Sequence, residues 1–404
     1  MTAPRFAVNW SGRGSQYTED EIATVVEAMR AADPQTQGRF QAAFERDFRT
    51  RFQVPHAFAV SSCTAALELA ALISQVGPGD EVIVPAHTFA ASAIPFARTG
   101  ARLVWADMDP ATRLVTAETL RPLITDRTRV LVVVHLYGLV CDMDPILALA
   151  EAHGLLVVED VAQAIGVGYK GRPAGSMGHF GCFSFHTHKN ITTLGEGGML
   201  TVRDDAHAAL VPGLRHNGMR SYDGERPRYW LPAMTNVDFD LDGVWPYNFC
   251  LGEVQCALGS RMLERLDHIT ATRAARAEAF QAALSDFPEM VFQSRPEGCG
   301  HAHHLMAVRY DGRRHPATGN RHRDELMTLL AEAFGIKVVV QYCPLYRYPL
   351  FARGGFGAAR CPHADEFFDA MISFPFHQWM PDTEFATMIA ATTAALTRLR
   401  GETA

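Results

Sequence analysis

FSFHTHKNITTLGEGG, residues 183–198, is the stretch on which the fold turns. An apolar strand, residues 183–185, runs into polar residues and delivers one lysine, Lys189, beside His186 and His188. A glycine-rich turn, Gly195-Glu196-Gly197-Gly198, follows at once, and then a second short strand over 199–202. A lysine held at the exit of a buried strand is partly desolvated, which disfavours its charged form. A neutral amine is the form that condenses with an aldehyde. The plain alternative is a solvated lysine in a surface loop, so the flanking segments decide.

Upstream, EVIVP (81–85), RLVWAD (102–107), VLVVVH (130–135) and LLVVED (155–160) are continuous apolar strands. Single helices separate them, near 92–98, 117–124 and 144–153. Such alternation predicts an α/β fold with a parallel sheet covered on both faces. Sites in these sheets lie beyond the carboxyl ends of the strands. Polar residues gather there: Ser61-Ser62-Cys63-Thr64, His87-Thr88-Phe89, His135-Leu136-Tyr137-Gly138, and Asp160 with Gln163.

Towards the N-terminus, TEDEIATVVEAMRA (18–31) reads as an amphipathic helix with Thr18 as N-cap and Glu21 completing a capping box. A second helix carries Phe40, Phe44 and Phe48 on one face. A strand over 57–61 leads to an apolar helix that opens at Cys63-Thr64 and runs to about Ile73. After the sheet, residues 216–250 form a loop-rich stretch, long for a simple connection. A long helix over about 251–283 follows, then strands HLMAVRY (304–310) and IKVVVQY (336–342), a helix over 324–334 and a last helix from about Asp382. The expected division is a large domain over 1–255 and a small α+β domain over 256–404.

The 404 residues are 48% hydrophobic and 20% charged, with a formal net charge of −7 and no Lys/Arg block. That balance argues against nucleic acid or an anionic membrane as partner. No apolar run reaches the roughly 18–20 residues of a membrane span, and MTAPRFAVNWSGRG has no apolar core for a signal peptide, so a cytoplasmic location is expected. The eight cysteines are scattered without a C-x-x-C pair, which predicts buried thiols rather than disulfides or zinc ligands. His301, His303 and His304 lead into an apolar strand and lack a plausible carboxylate or thiolate partner, so no metal site is assigned.

Four features converge on one cofactor type. The helix opening at Ser62-Cys63-Thr64 offers N–H groups and hydroxyls to an anion, although Ser and Thr are also ordinary N-caps. Asp160 ends a buried strand, where a carboxylate needs a partner such as a protonated pyridine nitrogen, or else caps the next helix. Phe89 lies in a strand-end loop, where it packs in the core or stacks on a flat ring. Lys189 supplies an amine. A phosphate cradle, an acid, a stacking group and an imine-forming lysine are what pyridoxal phosphate requires.

The chain resembles the DegT/DnrJ/EryC1/StrS family of sugar aminotransferases. The resemblance runs through SSCTAALELA (61–70), GPGDEVIVPAHTF (77–89), VHLYGLVCDMDPI (134–146), VEDVAQAIGVGYKGRPAGSMGHFGCFSFHTHKN (158–190), GEGGMLTV (195–202), YNFCLGEVQCALG (247–259) and VVQYCPLY (339–346). It implies the type I fold of pyridoxal-phosphate enzymes, a large domain with a mostly parallel seven-stranded sheet between helices plus a small α+β domain. By the same resemblance Lys189 joins the cofactor through an imine, Asp160 pairs with the ring nitrogen, Gln163 lies beside the 3-hydroxyl and Phe89 stacks on the ring. Cys63, Thr64 and Ser184 hold the phosphate, and Asn248 reaches the phosphate of a second subunit in a homodimer with shared sites. The implied reaction moves an amino group, most often from glutamate, to a nucleotide-linked keto-deoxysugar or a cyclitol ketone. Two other activities belong to the same resemblance: a dehydratase, whose relatives carry His in place of Lys189, and a non-catalytic regulator.

The chain departs from the family at Cys63, where Gly is usual; a backbone N–H contact survives that change where φ is negative. It departs again at Cys250, where Arg is frequent and would grip a carboxylate or phosphate bidentately. Arg220 or His216 would then take over that grip. The 216–250 loop is also longer than usual.

Overall fold

In the computed structural model, which describes residues 6–219, 228, 237 and 243–402, two helices open the chain. α1 (Glu19–Ala31) begins with the expected reciprocal cap: Thr18 Oγ1 accepts from the Glu21 N–H, and the Glu21 carboxylate accepts from the Thr18 N–H. α2 (Arg39–Phe52) buries Phe44, Phe48 and Phe52 along one face, four residues apart. Phe48 and Phe52 stack at 4.2 Å, and both meet Phe183 edge-on. The second helix is thereby seated on the strand that leads to Lys189.

The predicted alternation follows: β1 (His56–Val60), α3 (Cys63–Ile73), β2 (Glu81–Pro85), α4 (Ile94–Arg98), β3 (Arg102–Ala106), α5 (Ala117–Leu120), β4 (Thr128–Val134), α6 (Met143–Ala152) and β5 (Leu156–Asp160). The helix expected over 92–98 is divided, with a 3-10 turn over Ala90–Ser92 ahead of α4. Pro95 explains the restart, because proline lacks an N–H and fits only a first turn. A short hairpin, β6 (Gly168–Tyr169) with β7 (Arg172–Pro173), precedes β8 (Phe180–Ser184), β9 (Gly198–Val202) and α7 (Asp205–Arg215). β8 starts three residues before the expected strand, and its Gly181 has the Gly175 backbone and Thr201 where a side chain would be.

The seven strands lie in the order β1-β9-β8-β5-β4-β2-β3. Every neighbouring pair is parallel except the two made by β9, which runs antiparallel between β1 and β8. The expected α/β fold with a mostly parallel seven-stranded sheet is therefore present.

Two helices, α8 (Glu253–Glu264) and α9 (Leu266–Ala283), stand where one long helix was expected. The chain breaks at Arg265, whose guanidinium pairs with Glu21 of α1 at 2.6 Å. α8 packs on α1 and α2. Beyond α9 come β10 (Met290–Val291), β11 (Met306–Tyr310), α10 (Arg323–Phe334), α11 (Pro349–Phe351), α12 (Pro362–Ala370), β12 (Met371–Phe374) and α13 (Asp382–Leu399). Residues 336–342 do not form the expected strand. Ile336 bridges Val8 and Val339 bridges Ser373, so the segment changes partner within three residues, and β12 takes the edge of the β10-β11-β12 sheet. The residues 255/256 of the expected division lie inside α8. Of two hydrophobic cores, the larger runs from Phe44 of α2 to Met371 of β12, and the smaller joins Val8 to residues of α9, β11, α10 and α13. No described helix is long and apolar enough to cross a membrane.

A buried network fixes the end of β5. The Cys141 N–H donates to His135 Nδ1 (3.2 Å), so the ring hydrogen sits on Nε2, which donates to Glu159 Oε2 (3.0 Å). The same carboxylate accepts from the N–H groups of Gly175 (2.9 Å), Met177 (2.8 Å) and Gly178 (2.6 Å). Burial pushes the Glu159 carboxyl up, but His135 and these backbone donors outweigh it and hold it below its ordinary value. A lowered folded pKa places the stabilisation fully above the unfolded carboxyl pKa of about 4.3 and removes it as pH falls through the folded value. Glu159→Gln turns a donor against backbone N–H groups and is expected to cost about 3 kcal/mol at neutral pH. It should also flatten the loss of stability below about pH 4; denaturant melts across the acid range, with the two proteins giving parallel curves, would contradict this.

Candidate active site

The sheet's carboxyl edge opens into a cavity of about 420 Å³. Cys63 and Thr64 reach it from α3, Phe89 from the loop after β2, Asp160 and Gln163 from the end of β5, and Ser184 and Lys189 from β8 and the turn beyond. Seven of the eight residues expected at a cofactor site thus share one cavity. Asn248 does not line it; its backbone bridges His216 and its Oδ1 accepts from the Cys250 N–H at 3.3 Å.

Lys189 is partly exposed because it lines the cavity, yet the protein enclosing its amine pulls its pKa below the ordinary lysine value. Asp160 and Cys63 oppose that shift without overcoming it. Asp160 itself is buried, with Oδ2 accepting from Ser92 Oγ (2.7 Å) and Oδ1 from the Ala162 N–H (3.0 Å). Thr88 lies 3.0 Å from Ser92 and extends the chain of hydroxyls. Gln163 Oε1 accepts from the Tyr137 N–H (2.8 Å), which orients the amide and leaves the Nε2 hydrogens for another acceptor. Phe89 is 58% exposed, so it is a cavity wall and not core.

α3 starts on Ser62, whose Oγ accepts from the Ala65 N–H (3.0 Å). Cys63 is its first residue and lies outside the left-handed region, so the backbone at this departure from the family is compatible with an N–H contact. Burial, and then Asp160 and Cys182, push the Cys63 thiol up and keep it protonated. Gly198 determines where this first turn sits. A Cβ there would lie 2.5 Å from the Ser62 carbonyl carbon and 2.7 Å from the Cys63 nitrogen.

Several cavity residues carried no sequence signal strong enough to single them out. Tyr342 and His304 lie more than a hundred residues beyond Lys189, and Ser92, which bonds Asp160 from behind the cavity wall, was hidden in the apolar run around it. His304 reaches the cavity because the Ala302 and His304 N–H groups bond to the Gly138 and Tyr137 carbonyls (2.8 and 2.9 Å). Burial and then Lys189 drive its pKa well down. His301 and His303 stack at 3.9 Å away from the cavity, and burial lowers His303 to about 4. His186 and His188 do line the cavity, with rings 5.1 Å apart. Of the two candidates for an anion grip, Arg220 falls outside the described residues, and His216 lies against Gln37 Nε2 (3.0 Å) and not in the cavity. The 216–250 loop lies mostly outside the described residues as well.

The cavity suits a flat phosphorylated aldehyde. It offers the open N–H groups of a helical first turn, a bonded carboxylate, an exposed aromatic ring and an amine of lowered pKa. Gly198→Ala is expected to push α3 off β9, destabilise the fold by about 1–3 kcal/mol and weaken cofactor retention at least tenfold. Cofactor absorbance after dialysis, together with a thermal melt, measures both; unchanged retention would contradict the proposed placement.

The chain is similar to known proteins over nearly its whole length. Residues 15–393 match the DegT/DnrJ/EryC1/StrS aminotransferase family. The chain is 34% identical over 375 residues to the spore coat polysaccharide biosynthesis protein SpsC of Bacillus subtilis, covering 92% of this chain and 93% of the relative. It is 44% identical over 249 residues to the GDP-perosamine synthase of Caulobacter vibrioides, 62% of this chain and 63% of that one. Among solved structures, an aminotransferase from Psychrobacter cryohalolentis superposes with a TM-score of 0.86 at 29% identity, over 97% of this chain and all of the other. The PLP form of Spr1654 from Streptococcus pneumoniae gives 0.83 at 27% identity, over 97% and 99%. The chain belongs to the DegT/DnrJ/EryC1/StrS aminotransferase family and is a pyridoxal-phosphate-dependent enzyme of that family.

Proposed function

We propose that this enzyme transfers an amino group from glutamate to the keto group of a nucleotide-linked deoxysugar or a related keto-sugar or cyclitol. The observation that carries the proposal is the lowered pKa of the Lys189 amine, in one cavity with Asp160, Phe89 and the open first turn of α3. The printed names of the relatives, a GDP-perosamine synthase and a spore coat polysaccharide biosynthesis protein, support a sugar acceptor. Lys189 favours transamination over dehydration, since the dehydratases that the chain resembles carry His there.

When bound, pyridoxal phosphate supplies an aldehyde for imine formation and a protonated ring that takes up the electron pair of a breaking C–H bond. Cys63, Thr64 and Ser184 bind its phosphate, with the first N–H groups of α3 adding to the grip. Phe89 covers one face of the ring. Asp160, oriented by Ser92 and Ala162, would pair with the ring nitrogen and favour its protonated form. Gln163 donates from Nε2 to the 3-oxygen. With pyridoxal phosphate bound, Lys189 Nζ would be the base that takes the proton from the donor's α-carbon and delivers it to the carbon of the cofactor's former aldehyde. In the second half the same amine runs these steps backwards with the keto substrate, giving ping-pong kinetics.

Two copies share the sites in this proposal, with Asn248 serving the partner's phosphate. Its place outside its own cavity supports that, as does the exposure of Trp245 (85%) and Tyr247 beside it. A cytoplasmic location is consistent with eight free cysteines, six of them buried. Lys189→Ala is expected to lower turnover by about 10⁴-fold or more and to remove the absorbance band of the lysine-bound cofactor while the fold persists. An active Lys189→Ala protein would overturn the assignment.

A further inference from the structure

Residues 10–14 lie along the cavity, and Trp10, Ser11, Arg13 and Gly14 line it. The segment is clamped to the loop that carries Lys189. The Gly14 N–H donates to the Thr187 carbonyl (2.7 Å), and Thr187 Oγ1 donates to the Gly12 carbonyl (2.9 Å). Gly14 packs so closely that a Cβ would collide with the carbonyl oxygens of His188 and Lys189. Arg13 is held between these two anchors, and its own N–H donates to Ser11 Oγ (2.9 Å). Its backbone is thus fixed one residue from a point of contact with the catalytic lysine's main chain.

Its side chain is exposed, and among the described residues the guanidinium has neither a carboxylate nor a carbonyl partner. Arg13 is also the one arginine among the described residues lining the cavity. The other charges there are accounted for. Lys189 and Asp160 belong to the cofactor in the proposed function, and Glu196 lies 3.7 Å from His186. Burial keeps His304 and His377 towards the neutral form. Cys250 makes its contact with the Arg215 carbonyl, and Arg215 is committed to Glu45 at 2.6 Å, so neither supplies a cation to the cavity. An anionic substrate entering this cavity meets one planar, charged fork that no described residue pairs.

We infer that Arg13 is a substrate-recognition residue that binds an anionic oxygen group, either the carboxylate of the amino donor or the phosphates of the sugar nucleotide. The inference rests on the proposed function for the substrates' identity, but not for the anion contact itself. Clamping residues 12–14 removes part of the ordering cost of the contact, so its affinity is expressed in binding.

The test uses the cofactor-loaded enzyme and two unreactive probes, glutarate and inorganic pyrophosphate, titrated by calorimetry into wild type, Arg13→Ala and Arg13→Lys. One probe is expected to bind wild type and to lose about 10- to 100-fold in affinity in Arg13→Ala, with partial recovery in Arg13→Lys. Glutarate loss assigns the donor carboxylate; pyrophosphate loss assigns the nucleotide phosphates. In steady state, the KM of the matching substrate should rise more than kcat falls, with melting temperature and cofactor absorbance unchanged. Equal affinities in the three proteins, no binding of either probe to wild type, or loss of the cofactor band in Arg13→Ala would each overturn the inference. A wild type that binds a probe through Arg13 but transfers no amino group would count against the proposed function alone.

Discussion

The cavity depends on one close approach, that of Gly198 to the peptide between Ser62 and Cys63. Gly198 pairs with Val60 of β1 on one side and with Ser184 of β8 on the other, so it lies at the centre of three strands. With no side chain there, the start of α3 drops onto the sheet above it. Cys63 and Thr64 then arrive beside Ser184 although some 120 residues separate them in the chain. A helical first turn has free N–H groups wherever it is placed; its position against the end of β8 turns a general property of helices into part of a site.

Adjacent carboxylates at the end of β5 show how the sheet separates structural from chemical roles. Successive residues of a strand face opposite sides. Glu159 turns to His135 and three backbone donors, and Asp160 turns to Ser92, Ala162 and the cavity. The first carboxylate ties the loop over 175–178 to the sheet, which braces the strand on which the second is carried. Buried charge of this kind is tolerable only when each oxygen has donors. Both carboxylates meet that condition.

Much of this arrangement was legible in the sequence because it is local. Apolar runs bounded by helices identify the strands, and a polar residue at the end of each run marks the cavity edge. That logic reached Cys63, Thr64, Phe89, Asp160, Gln163 and Lys189, Ser184 came only through the family resemblance, and all seven line the cavity. It did not reach contacts set by distant packing. The antiparallel direction of β9 has no local signature, since a short strand reads the same in either direction. Residues 336–342 look like a strand by composition, but their backbone bonds go to Val8 and to β12 in turn. The N-terminal clamp is carried by Gly12 and Gly14, whose role appears only once the Lys189 loop lies against them.

The insertion of β9 also orders events during synthesis. β1 has β9 as its sole partner in the seven-stranded sheet, and α2 packs on α8. Residues 39–60 therefore emerge about 140 residues ahead of their strand partner and about 200 ahead of their helix partner. At translation rates of about 5–20 residues per second, that leaves the three phenylalanines of α2 without their final contacts for on the order of 10 s. The segment over 39–60 is thus made well before β9 and α8 can seat it, a wait during which its apolar face is open to chaperones.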